Sequence, residues 1–138
     1  MTYRAHIAGA LVFGAGLCYL EERAGIAWNP IIVAAGSILG GLLPDIDIPR
    51  SFIGSRVKWL SKRIHKRFGH RTLTHSLLFL AAMTMLFGML DYNLGLSVGV
   101  GVLSHIVLDI LTPGARGVAL FYPVSKKRVY PRIRKRRR

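Results

Sequence analysis

The chain has 138 residues, enough for one domain, and carries 20 Lys and Arg against six Asp and Glu, for a formal net charge of +14. Half of the residues are hydrophobic and the mean hydropathy is +0.38, which argues against an ordinary soluble domain. Such a basic excess indicates nucleic acid or an anionic membrane surface as partner. The single cysteine, Cys18, excludes a disulfide framework within the chain.

The first feature along the chain is a set of four apolar intervals. They cover residues 5–20, 24–43, 72–90 and 92–111, and only the last contains a charged side chain, Asp109. A helix needs about 20 apolar residues to cross a bilayer, and only the first interval is clearly short of that length. The sequence therefore predicts an all-α, polytopic membrane bundle with four transmembrane helices.

The basic residues predict how these spans are oriented. Residues 50–71, between spans two and three, hold eight Lys or Arg, and residues 126–138 hold nine. Because basic loops stay in the cytoplasm, an even number of spans with both termini inside satisfies both segments. We therefore expect a multi-pass protein of the inner (cytoplasmic) membrane, with a membrane-embedded domain over residues 1–125 and a basic cytoplasmic tail over residues 126–138.

The loop between spans two and three has its own pattern. Apolar residues recur there at three- and four-residue steps among many cations, and Trp59 lies among them: Ile53, Val57, Leu60, Ile64 and Phe68. This predicts an amphipathic cytoplasmic helix at the membrane interface, or one that packs on the protein's own cytoplasmic side. We expect residues 50–71 and 126–138 to contact anionic phospholipid head groups. Nucleic acid is the weaker alternative. Bases stack on aromatic side chains, and Tyr130 is the only aromatic residue in the basic tail.

Small residues inside the spans bear on packing. Gly95 and Gly99 form a G-x-x-x-G pair, which lets two helices approach closely in lipid. The pair can serve the chain's own bundle or a homo-oligomer, and the sequence leaves both open.

Seven ionisable side chains fall at the predicted cytoplasmic ends of the spans, where such residues are costly and usually functional. They are His6, Asp45, Asp47, His70, His75, His105 and Asp109. His105 and Asp109 are four residues apart and share one helix face. Pro44 and Pro49 flank the Asp pair and favour extended backbone, on which both carboxylates would point the same way.

Imidazole and carboxylate together suit a divalent metal ion, with zinc the first choice, manganese or iron as alternatives, and one to three ions in all. Each residue also has a simpler role as a helix cap or an ion-pair partner, for example Asp109 with Arg116. We further expect Arg71 and Arg116 to bind phosphate, since guanidinium groups grip it in a fork; head-group contact or a salt bridge is the competing role. His65 is expected only to lie on the basic face of the amphipathic helix.

Four blocks of sequence carry a family resemblance. Residues 43–47, 51–56, 68–76 and 103–113 resemble, in order, the YdjM-type family, whose members are described as inner-membrane-associated, metal-dependent hydrolases and also as LexA-binding. The resemblance covers about residues 1–123 and implies that the seven His and Asp positions are the family's polar site. Their order is also loosely similar to that of zinc phospholipase C.

Two functions follow as hypotheses. The first is a membrane-embedded, metal-dependent hydrolase that acts on a phosphoester such as a phospholipid, with Asp45 or Asp47 as general base. The alternative is a non-enzymatic membrane adaptor whose basic tail recruits a partner or anionic lipid.

Overall fold

A computed structural model of the chain describes residues 2–112 and 117–129, and five α-helices account for most of them. The helices are α1 (Tyr3–Arg23), α2 (Pro30–Leu42), α3 (Lys58–Phe68), α4 (Leu77–Gly88) and α5 (Tyr92–Leu111). Short 3₁₀ turns follow α2 at Leu43–Asp47 and precede α4 at Leu73–His75. The predicted all-α class is confirmed. Arg116 and residues 130–138 of the predicted tail lie outside the described residues.

Helices α2 and α5 form the centre of the bundle, with α1 against both of them and α4 against α5. The α2–α5 contact brings backbone against backbone. A Cβ atom added to Gly40 would overlap the carbonyl of Val98, and one added to Gly101 would overlap the carbonyl of Ser37. Glycine is therefore required at both positions for the two helices to lie this close.

The predicted G-x-x-x-G pair lies on the other side of α5. Gly95 contacts the backbone of Gly88, and Gly99 contacts the side chain of Thr84, both of them on α4. The pair therefore serves packing within the chain's own bundle.

Polarity is inverted relative to a soluble domain. None of the residues of α4 is buried, and its exposed surface includes Met85, which is 71% accessible, and Leu78. The buried apolar cluster is small, while His6, Asp47, His75, His105 and Asp109 are almost fully buried. Apolar surface outside and polar groups inside are the arrangement expected for helices that face lipid.

The four predicted spans differ in the length of their helices. Among the described residues, Pro30–Asp47 and Tyr92–Leu111 are helical segments both long and apolar enough to cross a membrane. Helix α4 has 12 residues, or about 18 Å, because the start of the interval 72–90 forms the 3₁₀ turn and the Ser76 cap instead. Helix α1 has 21 residues but carries charges at both ends. The structure thus shows two candidate spans.

The predicted amphipathic helix exists as α3, but it is shorter than the pattern that predicted it. Leu60, Ile64 and Phe68 lie on α3, whereas Ile53 and Val57 precede it in a series of turns. The hydroxyl of Ser51 accepts from the Gly54 amide and donates to the Asp45 carbonyl, which holds these turns against the end of α2.

The chain after α5 returns to the same end of the bundle. Val118 and Val129 form an antiparallel bridge, and the amide of Ala119 donates to the carbonyl of Arg71. The first residues of the predicted tail, 126–129, are therefore held against the body of the protein.

Candidate metal centre

The structure brings all seven predicted His and Asp side chains together at one end of the bundle. Three groups of three each place their ligand atoms within 4.8 Å of one another: His6, His105 and Asp109; Asp45, His75 and His105; Asp47, His70 and His75. His75 and His105 each belong to two groups, so the three are parts of one cluster. The 3₁₀ turns after α2 and before α4 supply Asp45, Asp47 and His75, and the segment between α3 and the second turn supplies His70. Helix α5 supplies two side chains and α1 supplies His6.

His105 has a defined tautomer. Its Nδ1 lies 2.6 Å from the carbonyl oxygen of Gly41 on α2. A carbonyl can only accept, so Nδ1 carries a proton, and Nε2 of the neutral ring carries a lone pair. That lone pair lies 3.7 Å from an oxygen of Asp45 and 3.7 Å from an oxygen of Asp109. A histidine held by a backbone carbonyl in this way is the usual arrangement for a metal ligand.

His75 is held in the same sense by a side chain. Thr74 Oγ1 donates its proton to Asp47 Oδ2 at 2.8 Å, which leaves the hydroxyl oxygen as acceptor for His75 Nδ1 at 3.0 Å. His75 Nε2 is therefore directed at Asp109 Oδ2, 3.2 Å away. The chain Asp47–Thr74–His75 fixes the imidazole much as a direct carboxylate partner would.

His6 completes the surroundings of Asp109. Its ring stacks on that of His105 with 3.7 Å between the ring centroids, and its Nε2 lies 3.8 Å from Asp109 Oδ1. Three imidazole Nε2 atoms, from three elements, thus approach one carboxylate.

These contacts pass a test of fit for a cation. Within the part of the chain that the structure describes, Nε2 of His75 and Nε2 of His105 are buried without a hydrogen-bond partner, and both face carboxylate oxygens. Acceptors that face one another need a positive ion or a proton between them. Tetrahedral zinc with bonds of 2.0–2.1 Å separates its ligand atoms by about 3.3 Å. His75 Nε2 lies at that spacing from Asp109 Oδ2, 3.2 Å, and the Nε2 atoms of His105 and His6 lie farther from the nearest Asp109 oxygen, at 3.7 and 3.8 Å.

The Asp pair differs from the prediction in its backbone. Leu43–Asp47 forms a 3₁₀ turn with Pro44 at its start, where a missing N–H costs nothing, so the predicted extended backbone is wrong. Asp45 and Asp47 consequently point to different partners, Asp45 toward His105 and Asp47 toward His70.

Asp47 is occupied by hydrogen bonds. Its Oδ1 lies 3.0 Å from His70 Nδ1, and its Oδ2 accepts from Thr74 and from the amide of Arg71 at 3.1 Å. The side chain of Asp47 is fully buried, whereas that of Asp45 is 15% exposed. Asp45 is therefore the carboxylate of the pair that solvent or a ligand can reach.

Arg71 forms a salt bridge, which was predicted from the sequence as the role competing with phosphate binding. Its Nε and Nη2 donate to the two oxygens of Asp109 at 2.9 and 2.8 Å, which makes the salt bridge bidentate. The backbone of Arg71 has a φ of 60°, and through its amide and its side chain it links Asp47 to Asp109. Phosphate binding by Arg71 stays a prediction, and Arg116 lies outside the described residues.

Two residues that support the cluster were not predicted to do so from the sequence. His65 Nδ1 lies 2.9 Å from the carbonyl oxygen of Asp47, so His65 supports the Asp turn in addition to its place on α3. Thr74 orients His75, as described above. The i, i+1 spacing of Thr74 and His75 carries no recognisable signal, because the contact depends on the 3₁₀ turn.

Comparison with known proteins gives one family. The family model described as "YdjM inner membrane protein" matches residues 1–137. The chain is 34% identical to "Uncharacterized protein YvsG" of Bacillus subtilis (strain 168), over 89% of this chain and 74% of that protein. It is 44% identical to "Inner membrane protein YdjM" of Escherichia coli (strain K12), over 70% of this chain and 50% of that protein. It is 33% identical to "Inner membrane protein YbcI" of the same organism, over 73% of this chain and 58% of that protein. No solved structure matches the chain.

Proposed function

Because the chain belongs to the YdjM family of inner membrane proteins, we propose that it is a metal-dependent hydrolase whose site lies at the cytoplasmic face of the membrane. One observation carries the proposal: the unpartnered Nε2 atoms of His75 and His105 converge with His6 on the Asp109 carboxylate. The chain spans about half the length of the Escherichia coli relative named YdjM, so the activity proposed is that of the region the two share.

The topology belongs to the same proposal. Helices α1, α2, α4 and α5 cross the membrane with both termini inside, and α3 lies on the cytoplasmic surface. The length of the segment Pro30–Asp47, which is α2 with its following 3₁₀ turn, the length of α5 and the lipid-like exposure of α4 support this arrangement. It places the His and Asp cluster at head-group depth.

In this proposal His6, His75, His105 and Asp109 hold the ion. Zinc fits the nitrogen and oxygen donors and the spacing between them, and manganese or iron fits the same donors. Such an ion would lower the pKa of a bound water and polarise the scissile bond. Arg71 holds both oxygens of Asp109 in place, and hydrogen bonds of this kind usually orient carboxylate ligands.

The two aspartates of the 3₁₀ turn take different roles. Asp47 uses both oxygens to position His70, Arg71 and Thr74, so it is a positioning residue. Asp45 lies beside the cluster, makes no such bonds and is partly exposed, so it is the group that accepts a proton from water. This assigns the general base to Asp45 where the sequence allowed either aspartate.

A phosphoester at the membrane surface is the substrate class that fits this location. Helix α3 contacts the 3₁₀ turn Leu43–Asp47 and exposes Trp59, and the Arg63 guanidinium lies over the Trp59 ring, 5.2 Å from its centroid. Further exposed cations lie along the same helix. A basic helix with an interfacial tryptophan favours anionic phospholipid.

The test uses full-length protein in detergent micelles with three variants. We expect His105→Ala to lose both the bound metal and hydrolysis of a phosphodiester, Asp45→Asn to keep the metal and lose hydrolysis, and Lys62→Ala, at an exposed position of α3, to keep both. Metal is measured by mass spectrometry and hydrolysis with phospholipid and with a soluble chromogenic diester. His6→Gln serves as a second ligand variant should His105→Ala lose its helical circular dichroism.

The adaptor remains the second candidate, favoured by the exposed cations of α3. Metal-loaded protein without any diesterase activity, combined with loss of cellular function on deletion of residues 130–138, supports the adaptor and rejects the hydrolase. Wild-type protein that binds no metal at all rejects the hydrolase outright.

A further inference from the structure

A second polar feature lies beside the His and Asp cluster and is lined by none of its seven side chains. It is a cavity of about 210 Å³ between the end of α3, the turn before α4 and the chain that returns after α5. Its lining residues are Arg67, Phe68, Thr72, Ala119, Tyr122, Lys126 and Arg128. We refer to it below as the cationic pocket.

The charge of the cationic pocket is uncompensated. Arg67, Lys126 and Arg128 line it, and none of the described carboxylates forms an ion pair with any of them. All six Asp and Glu of the chain belong to the described residues, so the neutralising charge does not come from an acidic side chain of this chain. Three cations around one cavity repel one another and attract an anion.

One of these cations is fixed in place without an anionic partner. Arg128 donates from Nη1 to the carbonyl of Gly117 at 3.1 Å and lies 3.4 Å from the carbonyl of His70. Two backbone carbonyls thus orient the guanidinium while its charge stays available. An oriented guanidinium is the group that proteins use to grip phosphate, since its N–H groups match two phosphate oxygens.

The other residues that line the cationic pocket limit the size and polarity of a ligand. Phe68 and Tyr122 meet edge to face with 6.3 Å between their ring centroids, and Arg67 lies 5.7 Å above the Phe68 ring. The cavity is smaller than the pockets of about 300–1,000 Å³ that hold drug-sized ligands. These walls suit a small anionic group with a short apolar or polyol portion.

From this geometry we propose that the cationic pocket binds a phosphate group, carried either by a phospholipid head group or by a soluble phosphate compound. The cationic pocket and the His and Asp cluster meet at one segment of chain. Thr72 lines the pocket, the carbonyl of His70 lies next to Arg128, and the imidazole of His70 contacts Asp47. An anion held there lies next to the proposed metal site, yet its binding requires neither the metal nor hydrolysis.

The test measures binding of inorganic phosphate to delipidated, full-length protein by calorimetry, with EDTA present to remove any metal contribution. Short-chain phosphatidylglycerol and phosphatidylcholine are titrated in parallel. The variants are Arg67→Gln and Lys126→Gln, and the matched controls are the neighbouring exposed cations, Lys66→Gln and Lys127→Gln. Arg128→Gln is the third pocket variant, and circular dichroism checks the fold of each.

We expect each pocket variant to weaken binding about tenfold and the controls to change it less than about twofold, since each loses the same charge but only the pocket variants lose a direct contact. Binding of phosphatidylglycerol but not of inorganic phosphate identifies the head group as the source. Binding of phosphate without lipid identifies a soluble compound. Absence of binding by all three probes, or equal loss in controls and pocket variants, overturns the proposal. Metal content measured without EDTA reports on the proposed function separately.

Discussion

At the residue scale, the cluster is organised by which nitrogen of each imidazole carries the proton. A carbonyl fixes His105 and a hydroxyl fixes His75, and both leave Nε2 directed inward. The positions of these histidines are specific only because their second nitrogen is held. A residue that hydrogen-bonds to a proposed ligand therefore contributes to the site by orienting that ligand.

Thr74 provides a direct test of that statement. Thr74→Val keeps the shape of the side chain but removes the hydroxyl that joins Asp47 to His75. We expect a metal affinity 10–100-fold lower, about the effect of losing an outer partner, measured by competition with a chromophoric chelator.

Thr74→Ser is the control, because it restores the hydroxyl. Equal metal affinity in Thr74→Val and in the wild-type protein would mean that the hydroxyl does not orient His75.

The sequence predicted the membership of the cluster but not its internal contacts. Helical spacing alone placed His105 and Asp109 on one face, and charge-based topology brought the other residues to the same end. The contact of Arg71 with Asp109 joins residues that are 38 positions apart, and Arg71 has a positive φ. Neither feature can be predicted from a local pattern of side chains. The 3₁₀ turn at Asp45 and Asp47 was missed because proline is compatible both with extended backbone and with the first turn of a helix.

At the element scale, glycine sets how closely α2 and α5 approach and hence where His105 meets Gly41. We expect Gly101→Ala to destabilise the protein by about 1–3 kcal/mol, because the added methyl group overlaps the Ser37 carbonyl. Gly40→Ala is expected to act in the same direction. Thermal unfolding in detergent, followed by circular dichroism, measures the effect.

Gly16→Ala is the matched control, since no atom lies within 4 Å of the added Cβ atom. Its helix propensity alone predicts unchanged or slightly higher stability. A similar loss of stability in Gly16→Ala and Gly101→Ala would show that α2–α5 packing is not the cause.

The helices themselves were predictable to different degrees. The long apolar interval 92–111 became α5 with matching ends, because Asp91 caps it through its side chain. The interval 72–90 gave only the short α4, because Leu73–His75 forms a 3₁₀ turn and Ser76 caps the helix that follows.

At the scale of the whole molecule, the proposed orientation can be tested by labelling. In a Cys18→Ser background, Leu90→Cys places a thiol at the exposed turn between α4 and α5, and Lys62→Cys places one on α3. Four spans with both termini inside predict that a membrane-impermeant maleimide reaches Leu90→Cys in cells with a permeabilised outer membrane, and reaches Lys62→Cys only after lysis.

The two thiols act as controls for each other, because both lie on exposed surface. Labelling of both in unlysed cells, or of Lys62→Cys alone, would contradict the proposed topology.

The bond between His105 and Gly41 also bears on how the protein is made. Gly41 lies in the last turn of α2, where carbonyls need partners from outside the helix, and its partner arrives 64 residues later in the chain. At ribosomal speeds of about 5–20 residues per second, that delay amounts to roughly 3–13 seconds. During synthesis the Gly41 carbonyl therefore lacks this partner until α5 has been made, and the proposed metal site is incomplete until then.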